Sequence, residues 1–135
     1  QESDRMKTYP DDNSYAIVQT FLNDRLGTAG VSPKVLNRIQ VANDEIWSNI
    51  VHYSGASEAS LHLRREGDTL YLDYADNGTP YDPTKAAEVD TTLSAEERSI
   101  GGLGLHMVRK MTTSMTYVYA EGQNRLSLGF DMQKN

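Results

Sequence analysis

The sequence predicts an α+β fold in which helices cover one face of a mixed, mainly antiparallel β-sheet. Two segments in the first half of the chain carry apolar residues at helical spacing, and two later pairs of segments alternate apolar and polar residues as hairpin strands do. A sheet built from hairpins buries one face, and helices packed on that face complete a two-layer sandwich. With 135 residues, the chain fits a single domain, 1–135.

Composition narrows the classes of function. The net charge is −6 and the basic residues are scattered, whereas a nucleic-acid binder normally presents a basic face to the phosphates. There are no cysteines, no signal-peptide pattern opens the sequence, and no apolar run is near the ~20 residues that span a bilayer, so we expect a cytoplasmic protein without membrane contact. Because the chain opens on Gln1 and not on Met, we expect a piece of a longer protein.

The amino-terminal half predicts a strand, two helices and a hairpin. A short strand is expected around 6–9, followed by the capping run 11–14 and an amphipathic helix that stops near Gly27 or Gly30. Ser32 and Pro33 open a second helix, whose apolar stripe ends near 53–55. The alternating segments 61–64 and 70–74 flank the turn Gly67-Asp68 and form a hairpin.

The second half predicts a long irregular segment, a helix and another hairpin. Residues 76–101 have little periodicity, and a structureless stretch of this length in a small domain is usually functional, so we expect a lid over about 79–100. A helix is predicted over 104–111. The segments 115–119 and 126–132 alternate around a turn at 121–124.

Glu45 and Asn49 form the first chemical pattern. They lie four residues apart in the second helix and therefore share one face. A carboxylate and an amide oxygen in this arrangement suit a hard cation such as Mg²⁺, and the carboxylate alternatively accepts a proton from a hydroxyl nucleophile. Taken alone, the same pair is more often a solvated helix face, so the spacing leaves both interpretations open.

Asp76-Asn77-Gly78 forms the second pattern, directly after a strand. Such a run most often makes a turn. In a binding site, Asp76 would accept a hydrogen bond from an exocyclic amine such as adenine N6, and Gly78 would let the base approach the backbone.

Gly101-Gly102-Leu103-Gly104 forms the third pattern. Glycines just before a helix expose backbone N–H groups at its positive end, which makes a cradle for an anion. The alternative is a flexible loop or a close packing of the backbone. The pattern is not a Walker A motif, because no Gly-Lys-Ser/Thr follows it. Arg98, just before the glycines, could reach a terminal phosphate.

In this order and with a lid between the second and third patterns, the sequence resembles the histidine kinase-like ATP-binding fold shared by DNA gyrase, sensor histidine kinases and MutL. It is most similar within that group to the small bacterial anti-sigma factor kinases, which are serine/threonine protein kinases. The resemblance runs from about residue 8 to 132.

The resemblance implies a role for each pattern in binding ATP and Mg²⁺. Glu45 would be the catalytic base, Asn49 the Mg²⁺ ligand, Asp76 the acceptor for the adenine amine, and Gly78 the residue bordering the base. The phosphate loop and lid hinge would be formed by five consecutive residues, Gly101, Gly102, Leu103, Gly104 and Leu105.

The resemblance also implies partners, namely an anti-anti-sigma protein as kinase substrate, a sigma factor that the chain sequesters, and a second copy in a homodimer.

Two other functions remain open from the sequence: a nucleotide-binding module without catalysis, and the ATP-binding fragment of a longer sensor kinase. Two features depart from the pattern: Trp47 is bulky for its helix position, and the lid carries acidic residues between 88 and 97 that would repel phosphates.

Overall fold

The computed structural model describes residues 4–86 and 100–133, and within these the side chains of all but residues 86 and 100–103. The strands are β1 (Arg5–Thr8), β2 (Ala59–Glu66), β3 (Thr69–Asp76), β4 (Ser114–Ala120) and β5 (Gln123–Asp131). The helices are α1 (Ser14–Gly27), α2 (Pro33–Asn49), α3 (Pro83–Ala86) and α4 (Ile100–Met111), and a π-helical segment (Ile50–Ser54) continues α2.

The five strands form one sheet in the order β1-β2-β3-β5-β4. All four neighbouring pairs are antiparallel. Among the described residues the sheet is therefore purely antiparallel, and not mixed as predicted. The chain leaves β3 and returns to the outer position as β4, and the final hairpin then places β5 against β3. Helices α1, α2 and α4 share one apolar core with the sheet. The predicted two-layer α+β sandwich is therefore confirmed.

The predicted helix starts rest on side-chain caps. The Ser32 hydroxyl accepts a hydrogen bond from the backbone N–H of Val35, and Pro33 occupies the first turn of α2. Within the capping run 11–14, Asp11 supplies the acceptor: its Oδ1 accepts hydrogen bonds from the backbone N–H groups of Asn13 and Ser14, at 3.0 and 3.1 Å.

The second helix ends where the sequence predicts, but in a different geometry. Residues Ile50–Ser54 adopt π-helical hydrogen bonding, and Gly55 ends the segment in the left-handed region at φ 69°. Glycine adopts this conformation without a steric penalty, which explains the stop. Single π-turns of this kind occur often at functional sites.

Two predicted boundaries are wrong. Helix α4 begins at Ile100 and not at Gly104, so the glycine cluster lies in the helix and not in a loop before it. Glycine in a helix costs roughly 1 kcal/mol relative to Ala, which tertiary packing can offset. The second hairpin turns on only Glu121 and Gly122, at φ 56° and 75°, so Asn124 belongs to β5.

Trp47 is fully buried, at 0% exposure, so the core has room for the bulky side chain at this helix position. Its indole Nε1 donates a hydrogen bond to Ser14 Oγ at 2.8 Å, and its ring lies 6.5 Å from that of Tyr74 on β3. The indole therefore joins α1, α2 and the sheet at one point. In the described part of the chain, no helix is long and apolar enough to cross a membrane.

Ser14→Ala tests this junction. The substitution leaves the buried Trp47 N–H without its acceptor, which should lower the free energy of unfolding by about 1–3 kcal/mol. Urea unfolding followed by fluorescence measures the loss directly, because Trp47 is the only tryptophan in the chain. Thr20→Ala, which removes an exposed hydroxyl from the same helix, is the control and should change stability little. Equal stability of the two variants would contradict the role given to Ser14.

Candidate functional site

A cavity of about 160 Å³ opens at the carboxy-terminal end of α2, between the π-helical segment, the sheet and the residues that follow β3. Its walls are mainly apolar and aromatic, and its few polar groups converge from different elements, as in many small-molecule sites. The lining residues are Ile46, Asn49, Ile50, Tyr53, Ser54, Tyr74, Asp76, Thr79, Pro80, Tyr81, Pro83, Tyr117, Asn124 and Leu126.

Asn49 brings an unpaired polar atom to this cavity. Its Nδ2 is buried and has no hydrogen-bond partner among the described residues. A buried amide left without a partner costs about 1–3 kcal/mol, so such a group calls for an explanation. A ligand in the cavity would supply the missing contact.

Glu45 lies one turn earlier on α2, in a groove between α2 and α4 that also contains Ser48 and Met107. Partial burial raises the pKa of its carboxyl group above the usual value. The negative charge of Glu45 in turn contributes, after burial, to a raised pKa of Tyr81. Tyr81 lines the cavity, so the groove and the cavity are electrostatically connected.

Gly104 on α4 faces the Glu45 carboxylate so closely that an added Cβ would overlap both carboxylate oxygens. The glycine therefore permits the close approach of α4 to α2 at the proposed catalytic residue. Because the overlapping atoms form the free end of a flexible side chain, a methyl group here would displace the carboxylate more readily than the helix.

Asp76 is buried at 6% exposure at the far end of the cavity. Its Oδ1 accepts a hydrogen bond from the backbone N–H of Gly78 at 2.9 Å, so the predicted Asx turn is present. Gly78 lies against the carbonyl of Ser54, where an added Cβ would overlap the backbone, and the N–H of Thr79 donates to the same carbonyl at 2.8 Å. These two contacts hold the turn against the end of the π-helical segment.

Asn124 is a site residue that the sequence reasoning missed by assigning it to a turn. It is 6% exposed, lines the cavity and donates a hydrogen bond from Nδ2 to Asp76 Oδ1 at 3.0 Å. The signal was present in the alternation, because Asn124 is in phase with the inward-facing Leu126, Leu128 and Phe130. The cavity-lining tyrosines Tyr53 and Tyr81 were missed as well, and no motif indicated them.

The structure brings the first two predicted patterns together and places the third in part. Glu45, Asn49, Asp76 and Gly78 surround the cavity and its neighbouring groove. Gly101, Gly102 and Leu103 lie at the start of α4, and Gly104 follows against Glu45. The side chain of Leu105 is buried in the core and does not line the cavity. Arg98 and the acidic residues between 88 and 97 lie outside the described residues.

The polar groups of this site suit a nucleotide and a divalent cation. Asp76 offers a buried acceptor for an N–H group, Asn49 offers an unpaired Nδ2 N–H group to an oxygen of the ligand and an amide oxygen of the kind that Mg²⁺ binds, and the glycine-rich start of α4 adjoins Glu45. None of the described cavity-lining residues is Lys, Arg or His. The charge of bound phosphates would therefore have to be balanced by a metal ion and by backbone N–H groups.

Sequence comparison matches residues 10–130 to the family described as the histidine kinase-like ATPase domain, and the chain belongs to this family. It is also 34% identical over 89 residues to the serine/threonine-protein kinase BtrW of Bordetella bronchiseptica. That similarity covers 63% of each protein, so the chain spans less than two thirds of this relative.

Among solved structures, the histidine kinase AdeS of Acinetobacter baumannii is similar with a TM-score of 0.53 and 14% sequence identity. The similarity covers 96% of this chain and 68% of that one. At this identity the comparison shows a common fold alone.

Gly78→Ala tests the close approach that shapes the cavity. The new methyl group would overlap the backbone of Ser54, which cannot turn away, so we expect a loss of about 1–3 kcal/mol in the free energy of unfolding. The matched control is Gly27→Ala at the end of α1, where an added Cβ meets no atom within 4 Å. Chemical unfolding of both variants measures the difference, and an unchanged Gly78→Ala protein would show that this contact is loose.

Proposed function

We propose that the chain is an ATP-dependent serine/threonine protein kinase that acts as an anti-sigma regulatory factor and phosphorylates an anti-anti-sigma partner. The observation that carries the proposal is the position of Glu45 and Asn49, one helical turn apart: Glu45 lines an open groove between α2 and α4, and Asn49 lines the cavity that also contains Asp76. The similarity to a serine/threonine-protein kinase supports the same activity.

The residues of the site have distinct roles in this proposal. Asp76 accepts a hydrogen bond from the amino group of the base, and Gly78 lets the base lie against the backbone. The amide oxygen of Asn49 would hold a Mg²⁺ ion, which would supply neutralising charge to the phosphates. Phosphoryl transfer requires mainly such positioning and charge balance.

Glu45 acts on the incoming hydroxyl group. Its carboxylate orients the partner's serine and accepts its proton as the hydroxyl oxygen bonds to the terminal phosphorus and the bond to the diphosphate leaving group breaks. The raised pKa of Glu45 suits this role, because it makes the carboxylate a better proton acceptor. The groove beside Glu45 gives the serine access from outside the nucleotide cavity.

Glu45→Gln separates catalysis from binding. The variant should lose phosphoryl transfer by several orders of magnitude and still bind ATP, as measured by label transfer from [γ-³²P]ATP to an anti-anti-sigma protein of the same organism and by calorimetry. Asp12→Asn, at an exposed position before α1 and outside the groove and the cavity, is the control. Full-rate transfer by Glu45→Gln would refute the assignment.

The same variant should have a higher midpoint of thermal unfolding at pH 7. Burial raises the pKa of Glu45 in the folded chain, so the ionised form costs stability above that pKa and the cost disappears as the pH falls through it. A neutral glutamine has no such cost. The gain over the wild type should therefore shrink at low pH, which calorimetric scans at two pH values can measure.

Asn49→Ala tests the metal site. We expect ATP affinity to fall by about tenfold or more in the presence of Mg²⁺, because the ion loses a protein ligand. In EDTA, where only a hydrogen bond from Nδ2 is lost, the difference between the variant and the wild type should be smaller. Isothermal titration calorimetry measures both conditions, with the exposed Asn37→Ala of the same helix as control. An undiminished Mg²⁺ effect in Asn49→Ala would place the ion elsewhere.

A further inference from the structure

Asn124 is a buried carboxamide whose two ends are both fully engaged by the protein. Its Nδ2 donates to Asp76 Oδ1 at 3.0 Å and to the carbonyl of Thr79 at 2.9 Å. Its Oδ1 accepts from the backbone N–H of Tyr81 at 3.0 Å and from the hydroxyl group of Tyr117. One side chain thus joins β3, the segment after it, and β4 at the polar end of the cavity.

These contacts determine what Asp76 can offer a ligand. A carboxylate oxygen has about two acceptor positions, and Oδ1 uses both, for Gly78 N–H and for Asn124 Nδ2. Within residues 4–86 and 100–133, Oδ2 accepts no hydrogen bond. Asp76 therefore presents one free oxygen to the cavity. Asn124 itself has no N–H left for a ligand, because its two amide hydrogens already have acceptors.

We propose that Asn124 is a positioning residue that sets the base selectivity of the nucleotide site. It holds Asp76 as an acceptor with a single free oxygen, which suits the lone amino group on the six-membered ring of adenine. Guanine presents a neighbouring ring N–H and amino group, which a carboxylate with both oxygens free would bind as a pair, and it presents a carbonyl where adenine has the amine. The inference rests on the proposed function, since it requires a nucleotide in this cavity.

The alternative to a role in base selectivity is that Asn124 has a purely structural role in β5. A buried amide that joins three elements stabilises the fold whether or not a ligand binds. A structural role predicts that substitutions lower stability and weaken all nucleotides equally. A selectivity role predicts a change in the ratio of ATP to GTP affinity, so this ratio distinguishes the two.

The first test is Asn124→Leu, with dissociation constants for ATP and for GTP measured by calorimetry in Mg²⁺. Removal of the amide reopens an acceptor position on Asp76 Oδ1 and releases the carboxylate from its fixed orientation. We expect the preference for ATP over GTP to shrink by about tenfold or more, the scale of one hydrogen bond to a charged group. Gln123→Leu, on the neighbouring position of β5, is the control and should keep the wild-type ratio.

Asn124→Asp is the second test, and it keeps the shape of the side chain if the leucine variant fails to fold. A second carboxyl group beside Asp76 raises the pKa of one member of the pair. When this pair holds a proton, the O–H of residue 124 can donate to Asp76 as the Asn124 amide does, whereas two ionised carboxylates repel and release Asp76, so the preference for ATP should be closer to that of the wild type at pH 6 than at pH 8. The hydroxyl group of Tyr117, which donates to residue 124, stays protonated over this range, because burial raises its pKa.

The outcomes separate this inference from the proposed function. If the wild type prefers ATP and the folded variants keep that preference at both pH values, Asn124 has only a structural role and the inference is overturned. If the wild type binds neither nucleotide, the proposed function itself fails. A reduced preference in Asn124→Leu, together with a pH-dependent one in Asn124→Asp, supports the assignment.

Discussion

The rotation of α2 about its axis is the constraint on which the site depends. Two buried hydrogen bonds fix it: Trp47 Nε1 to Ser14 Oγ at 2.8 Å, and the Tyr74 hydroxyl to Asn43 Oδ1 at 2.7 Å. With these contacts made, Glu45 faces the groove beside α4 and Asn49 faces the cavity. A rotation by a single residue, about 100°, would bury the carboxylate or turn the amide away from the cavity.

The electrostatic balance of the site follows from what lines it. A chain of net charge −6 has a cavity without described basic side chains, although its proposed ligand carries several negative charges. The available counter-charges are a divalent ion and backbone N–H groups, both of which act at short range. In the proposed nucleotide complex, affinity for the phosphates would therefore depend on the ion more steeply than in a lysine-based phosphate loop.

The sequence predicted the sandwich because each signal was local. Hairpin alternation, the Ser32-Pro33 start of α2 and the turn at Asp76 depend on neighbours in the chain, and the structure contains all of them. The start of α4 was wrong for the opposite reason. Glycine disfavours a helix locally, but α4 packs against α2 through Gly104, and that contact cannot be read from a single segment.

Asn124 shows how a strong local signal can hide a functional residue. Glu-Gly-Gln-Asn is rich in turn-forming residues, yet the positive φ angles of Glu121 and Gly122 complete the turn in two residues. The third and fourth residues then continue the strand, and the alternation points Asn124 inwards beside Asp76. A polar residue at an inward-facing strand position is costly unless its hydrogen bonds are made. Asn124 makes all of its hydrogen bonds to separate elements, beside a carboxylate that lines the cavity, and this arrangement, which the turn does not require, is the ground for the positioning role that we propose.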